Sequence, residues 1–333
     1  MAGRLLACMP SNPPSTLQIQ LEEISSSSRP LHTQRKFTIA EVAYCSHYGL
    51  RQFGLVQHRF GFRNYSNCKI ALHWYEPLNP KRVVVVCHGY FDHSGTWKHA
   101  IPALLEAGNT VIIYDHPGHG LSHGERASIQ DFGDYVDVLA QVLADCQSRS
   151  ELPIVLAGHS MGCAVITDYL LLRNPGFKTP RTVFLAPLVQ PSKWQSVRVA
   201  EKLLTWAVSS VPRILTKNSS NPDYLNFVKA DPLHHRRIPL AWTSALLDWN
   251  QRAENFAPSV GRPLTILQGA RDDTVDWKYN LAYLRRKFPD ATVRMFRDGR
   301  HQLLNESTPL RSEVIAELVA AVKGSRGTDT IPP

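Results

Sequence analysis

The chain has 333 residues, 43% of them apolar, which suffices for one large α/β domain or two ordinary ones with a substantial core. Its 37 Lys and Arg against 28 Asp and Glu leave a net charge of +9, but the excess is scattered. The densest stretches, Arg285-Arg286-Lys287 and the alternating Arg294, Arg297 and Arg300, read as solvated helix or strand surface, so no nucleic-acid partner is expected. The same charge permits transient contact with an anionic membrane surface. No apolar run approaches membrane-spanning length. Cysteines at 8, 45, 68, 87, 146 and 163 show neither paired nor zinc-type spacing, which predicts reduced thiols and a cytoplasmic protein, peripheral to the membrane at most.

Residues 1–34 are rich in Ser and Pro, with Ser25 to Ser28 in a row and no sustained apolar period, and are expected to form a mobile tail. A short helix is expected over 37–48. Residues 53–62 and 69–75 then read as two antiparallel strands joined through Asn64-Tyr65-Ser66-Asn67. From there the pattern changes. Short, non-alternating apolar runs at 83–87, 110–114, 154–157, 182–185 and 264–267 fit parallel strands buried on both faces. Helical periodicity fills 97–107, 132–147 and 161–172; a last strand at 292–296 precedes a helix that Ser307 or Pro309 opens and that runs to 322. Alternation of this kind predicts a doubly wound, mostly parallel sheet.

One segment breaks the alternation. Residues 188–262 carry helical periodicity, four Trp residues (Trp194, Trp206, Trp242, Trp249) and no strand signal, so they are expected to form a small helical cap over the carboxyl ends of the strands. The core then comes in two parts, 35–187 and 263–333. A Trp- and Leu-rich lid suits an apolar substrate better than a sugar or charged peptide.

Gly158-His159-Ser160-Met161-Gly162 ends an apolar run and opens a helical one, the strand, sharp turn and helix of a nucleophile elbow. The pattern alone also fits a glycine-rich turn with a buried serine; the residues around it carry the functional reading. A serine hydroxyl needs a base, and the base needs a third group to fix its tautomer. Downstream of Ser160 the base candidate is His301, between the last strand and the last helix, and the acid lies among Asp272, Asp273 and Asp276. Two backbone amides are expected to receive the oxyanion, those of Met161 and of Tyr90 in the loop His88-Gly89-Tyr90-Phe91-Asp92-His93-Ser94-Gly95. His88 precedes the serine and is expected to brace that loop.

The combination of His88-Gly89, Asp115-His116-Pro117-Gly118-His119-Gly120-Leu121-Ser122, the elbow, Gly269 with Asp272 and Asp276, and His301 resembles the α/β-hydrolase superfamily. More narrowly it is similar, over about residues 53–322, to the monoacylglycerol lipase and lysophospholipase group, also classed with serine aminopeptidases. The resemblance implies an α/β-hydrolase fold, a mostly parallel eight-stranded sheet with helices on both faces and a helical cap after the sixth strand. It implies Ser160 as nucleophile, His301 as base, Asp272 as acid with Asp276 structural, and Tyr90 and Met161 as oxyanion donors. Asp273 is an extra acid that a one-residue loop shift would exchange with Asp272. Cys163 stands where a third glycine is common, and Gln302 where many relatives carry Glu. His116 and His119 become turn residues, and neither a metal nor a cofactor is implied. The expected reaction is hydrolysis of a small-molecule, lipid-like ester through an acyl-enzyme. A short-chain carboxylesterase, a thioesterase, an aminopeptidase or a carbon–carbon bond hydrolase shares the triad. A binding module without chemistry is the reading from another class. Ser160 argues against dehalogenases and epoxide hydrolases of this fold, which place an aspartate at the elbow.

Overall fold

A computed structural model describes residues 15–31, 35–51, 56–204, 206–214 and 216–324. Its first element corrects an expectation. Helix α1 (Thr16–Ser27) lies inside the segment read as a mobile tail; the Ser15 hydroxyl accepts the Gln18 N–H at its start, and Leu21 and Ile24 are buried. Leu17, Leu21 and Ile24, spaced i, i+4, i+7, form one apolar stripe that the surrounding serines obscure in the sequence. Residues 1–14 of that segment lie outside the described residues. α1 packs on α2 (Ile39–His47), whose N-terminus closes with a reciprocal capping box between Thr38 and Glu41.

Strands β1 (Val56–Tyr65) and β2 (Cys68–Pro77) form the expected hairpin, with Ser66 and Asn67 both at positive φ in the turn; residues 53–55 of the expected first strand are not among those described. The alternating part follows: β3 (Arg82–Cys87), α3 (Ala100–Glu106), β4 (Asn109–Tyr114), α4 (Gly133–Arg149), β5 (Ile154–His159), α5 (Met161–Asp168), continued by a π turn at Tyr169–Arg173, and β6 (Thr182–Leu185). The insertion contributes α6 (Trp194–Leu204), β7 (Ser210–Pro212), α7 (Pro222–Ala230), β8 (Arg237–Pro239) and α8 (Leu240–Ala253). The core closes with β9 (Leu264–Gly269), α9 (Trp277–Lys287), β10 (Thr292–Phe296) and α10 (Leu310–Lys323).

The eight-stranded sheet has the order β1-β2-β4-β3-β5-β6-β9-β10, antiparallel where β1, β2 and β4 meet and parallel elsewhere. It is an α/β-hydrolase sheet. Successive β3 side chains go to opposite faces: Val83, Val85 and Cys87 pack with α4, α5 and α9, while Val84 and Val86 pack with α2, α3 and α10. Burying each valine contributes roughly 1.5–3 kcal/mol, which explains why these runs do not alternate in polarity.

Two elements escaped sequence reading. The β7–β8 ribbon, antiparallel over Ser210↔Pro239 to Pro212↔Arg237, has strands of three residues with a proline in each, too short to leave a period-2 signal. Helix α9 ends in the Arg285-Arg286-Lys287 run, and its apolar stripe is reduced to Leu281, Tyr283 and Leu284. Lys287 is not solvated as expected: its Nζ donates to the carbonyl oxygens of Glu254 and Phe256 at 2.7 and 2.6 Å.

Candidate active site

Ser160 sits between β5 and α5 at φ 50° and ψ −115°, a region that costs an L-residue on the order of 1–3 kcal/mol. The flanking glycines make the turn sterically possible. A Cβ on Gly162 would lie 2.1 Å from Cys87 O on neighbouring β3, and one on Gly158 only 2.9 Å from Cys163 N. The backbone is pinned on both sides. Ser160 N–H donates to Leu185 O at 3.0 Å, and Ser160 O accepts from Cys163 and Leu188 N–H at 3.0 and 3.1 Å.

Loops following β10 and β9 bring the other two groups to this turn. His301 Nε2 is 3.0 Å from Ser160 Oγ, and its Nδ1 is 2.8 Å from Asp272 Oδ2. With Nδ1–H donating to the carboxylate, Nε2 is left to accept from the serine hydroxyl. Asp272 is fixed further: its Oδ1 accepts the Thr274 and Val275 N–H groups at 2.9 and 3.3 Å, and its Oδ2 accepts Gln268 Nε2 at 3.3 Å. Burial raises the Asp272 carboxyl, but the His301 charge and hydrogen bond and the two amides outweigh it and hold it below its usual value. For His301, burial lowers the imidazole and the Asp272 charge and hydrogen bond outweigh it, so the net shift is upward.

The rival acids lie elsewhere. Asp273 is 59% exposed and 3.6 Å from Arg300, and Asp276 caps α9 by accepting Tyr279 N–H at 3.2 Å. Only Asp272 of the three reaches His301.

The N–H groups of Tyr90 and Met161 donate to no backbone acceptor among the described residues. The Tyr90 side chain anchors its loop: the hydroxyl donates to Ala127 O at 2.7 Å, and the ring stacks on Trp242 of α8 at 3.5 Å and 6°. Gly89 lets this loop approach the elbow, since a Cβ there would lie 2.8 Å from both Asp92 Oδ2 and His159 Nδ1. His88 braces the loop from below, with Nδ1 2.8 Å from Gly89 O and Nε2 accepting the His116 N–H at 2.9 Å; burial pushes it down to about 4.

Sequence reasoning passed over a second layer. His159 Nδ1 is 3.1 Å from Asp92 Oδ2, and its Nε2 is 3.1 Å from His301 O. Gln302 Nε2 donates to both Asp92 oxygens at 3.1 Å, while Asn305 Nδ2 donates to Gln302 Oε1 and Thr96 O at 3.1 Å each. Asp92, buried, is nonetheless held below its usual value by His159. Three of these residues stand inside recognised motifs; what the sequence hides is that they touch one another and the His301 backbone.

His116 and His119 lie in the tight turn after β4, where His119 Nδ1 is 2.9 Å from Pro117 O. Two other clusters have metal-like spacing, Cys45 with His58 and His73, and His93 with Asp231 and His234. In the second, His93 Nδ1 accepts the Gly95 N–H at 3.1 Å, so its Nε2 carries the proton and donates to Asp231 Oδ2 at 2.9 Å. That ring has no free lone pair and acts as a tether between the loop after β3 and the end of α7.

The groups open into a cavity of about 670 Å³, within the ~300–1,000 Å³ of small-molecule sites. Its floor carries Ser160, His301 and Tyr90, and the insertion supplies apolar walls, Val197, Leu204, Leu225, Leu240, Trp242 and Leu246 among them.

A serine after β5, an aspartate after β9 and a histidine after β10, met in that order on this sheet, define the class, an α/β-hydrolase. Known proteins agree. The family model described as "Serine aminopeptidase, S33" matches residues 78–308. The chain is 30% identical over 260 residues to monoglyceride lipase of Mus musculus, covering 74% of this chain and 84% of that protein. It is 27% identical over 262 residues to the monoglyceride lipase homolog of Monkeypox virus, covering 77% and 94%. A soluble variant of the Saccharomyces cerevisiae monoglyceride lipase shares the fold, with a TM-score of 0.70 at 17% identity over 81% of this chain and 95% of that one. The chain belongs to the serine aminopeptidase S33 family of hydrolases, in its monoglyceride lipase-like group.

Proposed function

We propose that this protein hydrolyses carboxylic esters of lipid-like substrates, monoacylglycerols or lysophospholipids, through an acyl-enzyme on Ser160. The observation that carries this reading is the unbroken chain Asp272–His301–Ser160 at the floor of an apolar cavity. His301 Nε2 takes the hydroxyl proton as Oγ attacks the ester carbonyl, and the Tyr90 and Met161 amides receive the oxyanion. The same proton goes to the departing alcohol; water, activated by His301, then releases the fatty acid. Asp272 stabilises the imidazolium without taking its proton. The monoglyceride lipases among the relatives support the ester class.

An aminopeptidase would need a free carboxylate for the substrate's ammonium group. Of the three acids lining the cavity, Asp92 is engaged by His159 and Gln302 and Asp273 by Arg300, and Glu201 accepts from the Ser244 hydroxyl. Two of the three are thus withdrawn from an ammonium group, which supports esters over peptides.

The insertion acts as a cap and, in this reading, as the surface that meets lipid. Val199 (57% exposed), Leu203 (62%), Trp206 (83%) and Ile214 (83%) cluster in it, with Ile214 on the cavity lining. Among the described residues no helix is long and apolar enough to cross a membrane. The cysteines at 45, 68, 87, 146 and 163 are unbridged, which supports a reducing, cytoplasmic setting.

The test is turnover of p-nitrophenyl esters from acetyl to palmitoyl, with monoacylglycerol and lysophosphatidylcholine, by wild type and Ser160→Ala. A Ser160-dependent optimum at medium or long chains is expected. An acetyl optimum would move the assignment to small esters, and absence of turnover on every ester would remove it.

A further inference from the structure

Of the four cations on the cavity lining, one is half-buried while the other three are exposed. Arg213 follows β7, where its backbone N–H donates to Arg236 O across the ribbon at 2.9 Å. Its guanidinium lies over the Phe91 ring, 4.0 Å from the centroid, and the half-buried side chain lines the cavity. Phe91 follows Tyr90 in the loop after β3, and Arg213 lines the same cavity as Tyr90, Ser160 and His301. Its side-chain contact with an acceptor, Nη1 to His235 O, spans 3.5 Å, the outer limit of a hydrogen bond.

Arg213 forms no ion pair among the described residues, and neither do Lys193, Lys217 and Lys229, the exposed cations on the same lining. Of the lining carboxylates, Asp92 is held by His159 and Asp273 lies 3.6 Å from Arg300, while Glu201 accepts from the Ser244 hydroxyl. The cavity therefore offers a forked cation and three rim cations against one carboxylate, Glu201, that no cation pairs among the described residues. Burial disfavours the guanidinium charge here, and the attraction of Asp92 offsets that only in part. A neutral glycerol ester offers the fork only uncharged oxygens, whereas a phosphate accepts it in two charge-assisted hydrogen bonds.

We propose that Arg213 selects substrates with a phosphate in the head group, favouring anionic lysophospholipids over neutral monoacylglycerols. This rests on the ester-hydrolase reading above and adds the charge of the head group to it.

The test compares 1-acylglycerol 3-phosphate with 1-acylglycerol of the same chain, below the concentration at which either aggregates, for wild type, Arg213→Gln and Arg213→Lys. The readout is the ratio of kcat/KM on the phosphate to that on the neutral ester. Wild type should favour the phosphate, Arg213→Gln should lower the ratio roughly 10- to 100-fold, chiefly through KM, and Arg213→Lys should restore part of it. An Arg213 that merely pins the ribbon to Phe91 would depress both substrates alike and leave the ratio where it was, and that result overturns the proposal. A measurement without any variant guards against misfolding: dodecyl phosphate should inhibit the wild type at least about 10-fold more tightly than 1-dodecanol, and equal inhibition also overturns it. If wild type turns over the neutral ester with no phosphate preference, only this inference fails; if it turns over neither, the ester reading fails as well.

Discussion

The floor and the walls of the cavity are built on different principles. On the floor, three loops at the carboxyl ends of β3, β5 and β10 interlock through buried polar contacts, and Asp92, His159, His301, Gln302 and Asn305 each hold at least one hydrogen bond to another loop or element. The walls are helices and a ribbon that expose Val199, Leu203, Trp206 and Ile214. Their ties to the core include the Tyr90–Trp242 stack, the His93–Asp231 contact, the Trp249–Asp168 hydrogen bond and Glu306, which accepts from Ser219 and Ser220. The difference teaches where precision is needed. Proton transfer tolerates errors of a few tenths of an ångström and is assigned to rigid sheet loops, while substrate choice is assigned to the part that can vary without disturbing them.

Damage to the floor should cost most. Asp272→Asn is expected to lower kcat about 10⁴-fold by offering His301 the wrong tautomer, whereas Asp273→Asn should stay within about 3-fold; steady-state kinetics on one ester decides between them. Equal losses would return Asp273 as a rival.

Gly162→Ala attacks the elbow itself. With a Cβ 2.1 Å from Cys87 O, either β3 or α5 must shift, and a loss of about 2–4 kcal/mol in chemical denaturation is expected, together with loss of activity. A stable, active Gly162→Ala would mean that the elbow is not steric in origin.

The pH profile reads the floor's electrostatics. With His301 as the proposed base, catalysis requires its neutral form; its pKa lies above the ordinary 6.5, so kcat/KM should fall as pH drops through a midpoint above that value. Because the folded-state value is raised, the Asp272–His301 pairing contributes its full stability below about 6.5 and loses it as pH rises through the folded pKa. Asp272→Asn should move the acid limb of the profile down.

Changes to the wall should be smallest and the most selective. Leu203→Ser with Trp206→Ser should weaken binding to anionic vesicles several-fold in flotation while leaving turnover of a soluble short ester within about 2-fold. Equal effects on both would make these residues part of the fold rather than a lipid-facing surface.

The floor was far more legible in the sequence than the walls, for physical reasons. Buried parallel strands demand short apolar runs, and the elbow demands glycines where Cys87 O leaves no room, so both leave marks in composition and spacing. The acid stayed open between Asp272 and Asp273 because a one-residue difference is decided by hydrogen bonds to Thr274 and Val275 N–H, which no spacing encodes. Helix α1 was hidden by its serines, and the β7–β8 ribbon by its length. The contact from His159 to His301 O joins residues 142 positions apart, and only the fold brings them together.

The most direct test of the account is intact-mass analysis of the protein quenched during turnover of a palmitoyl ester, followed by peptide mapping. The account predicts a palmitoyl adduct on Ser160 that is absent from Ser160→Ala and accumulates when deacylation is slowed at low pH. An adduct on another residue, or turnover surviving in Ser160→Ala, would contradict it.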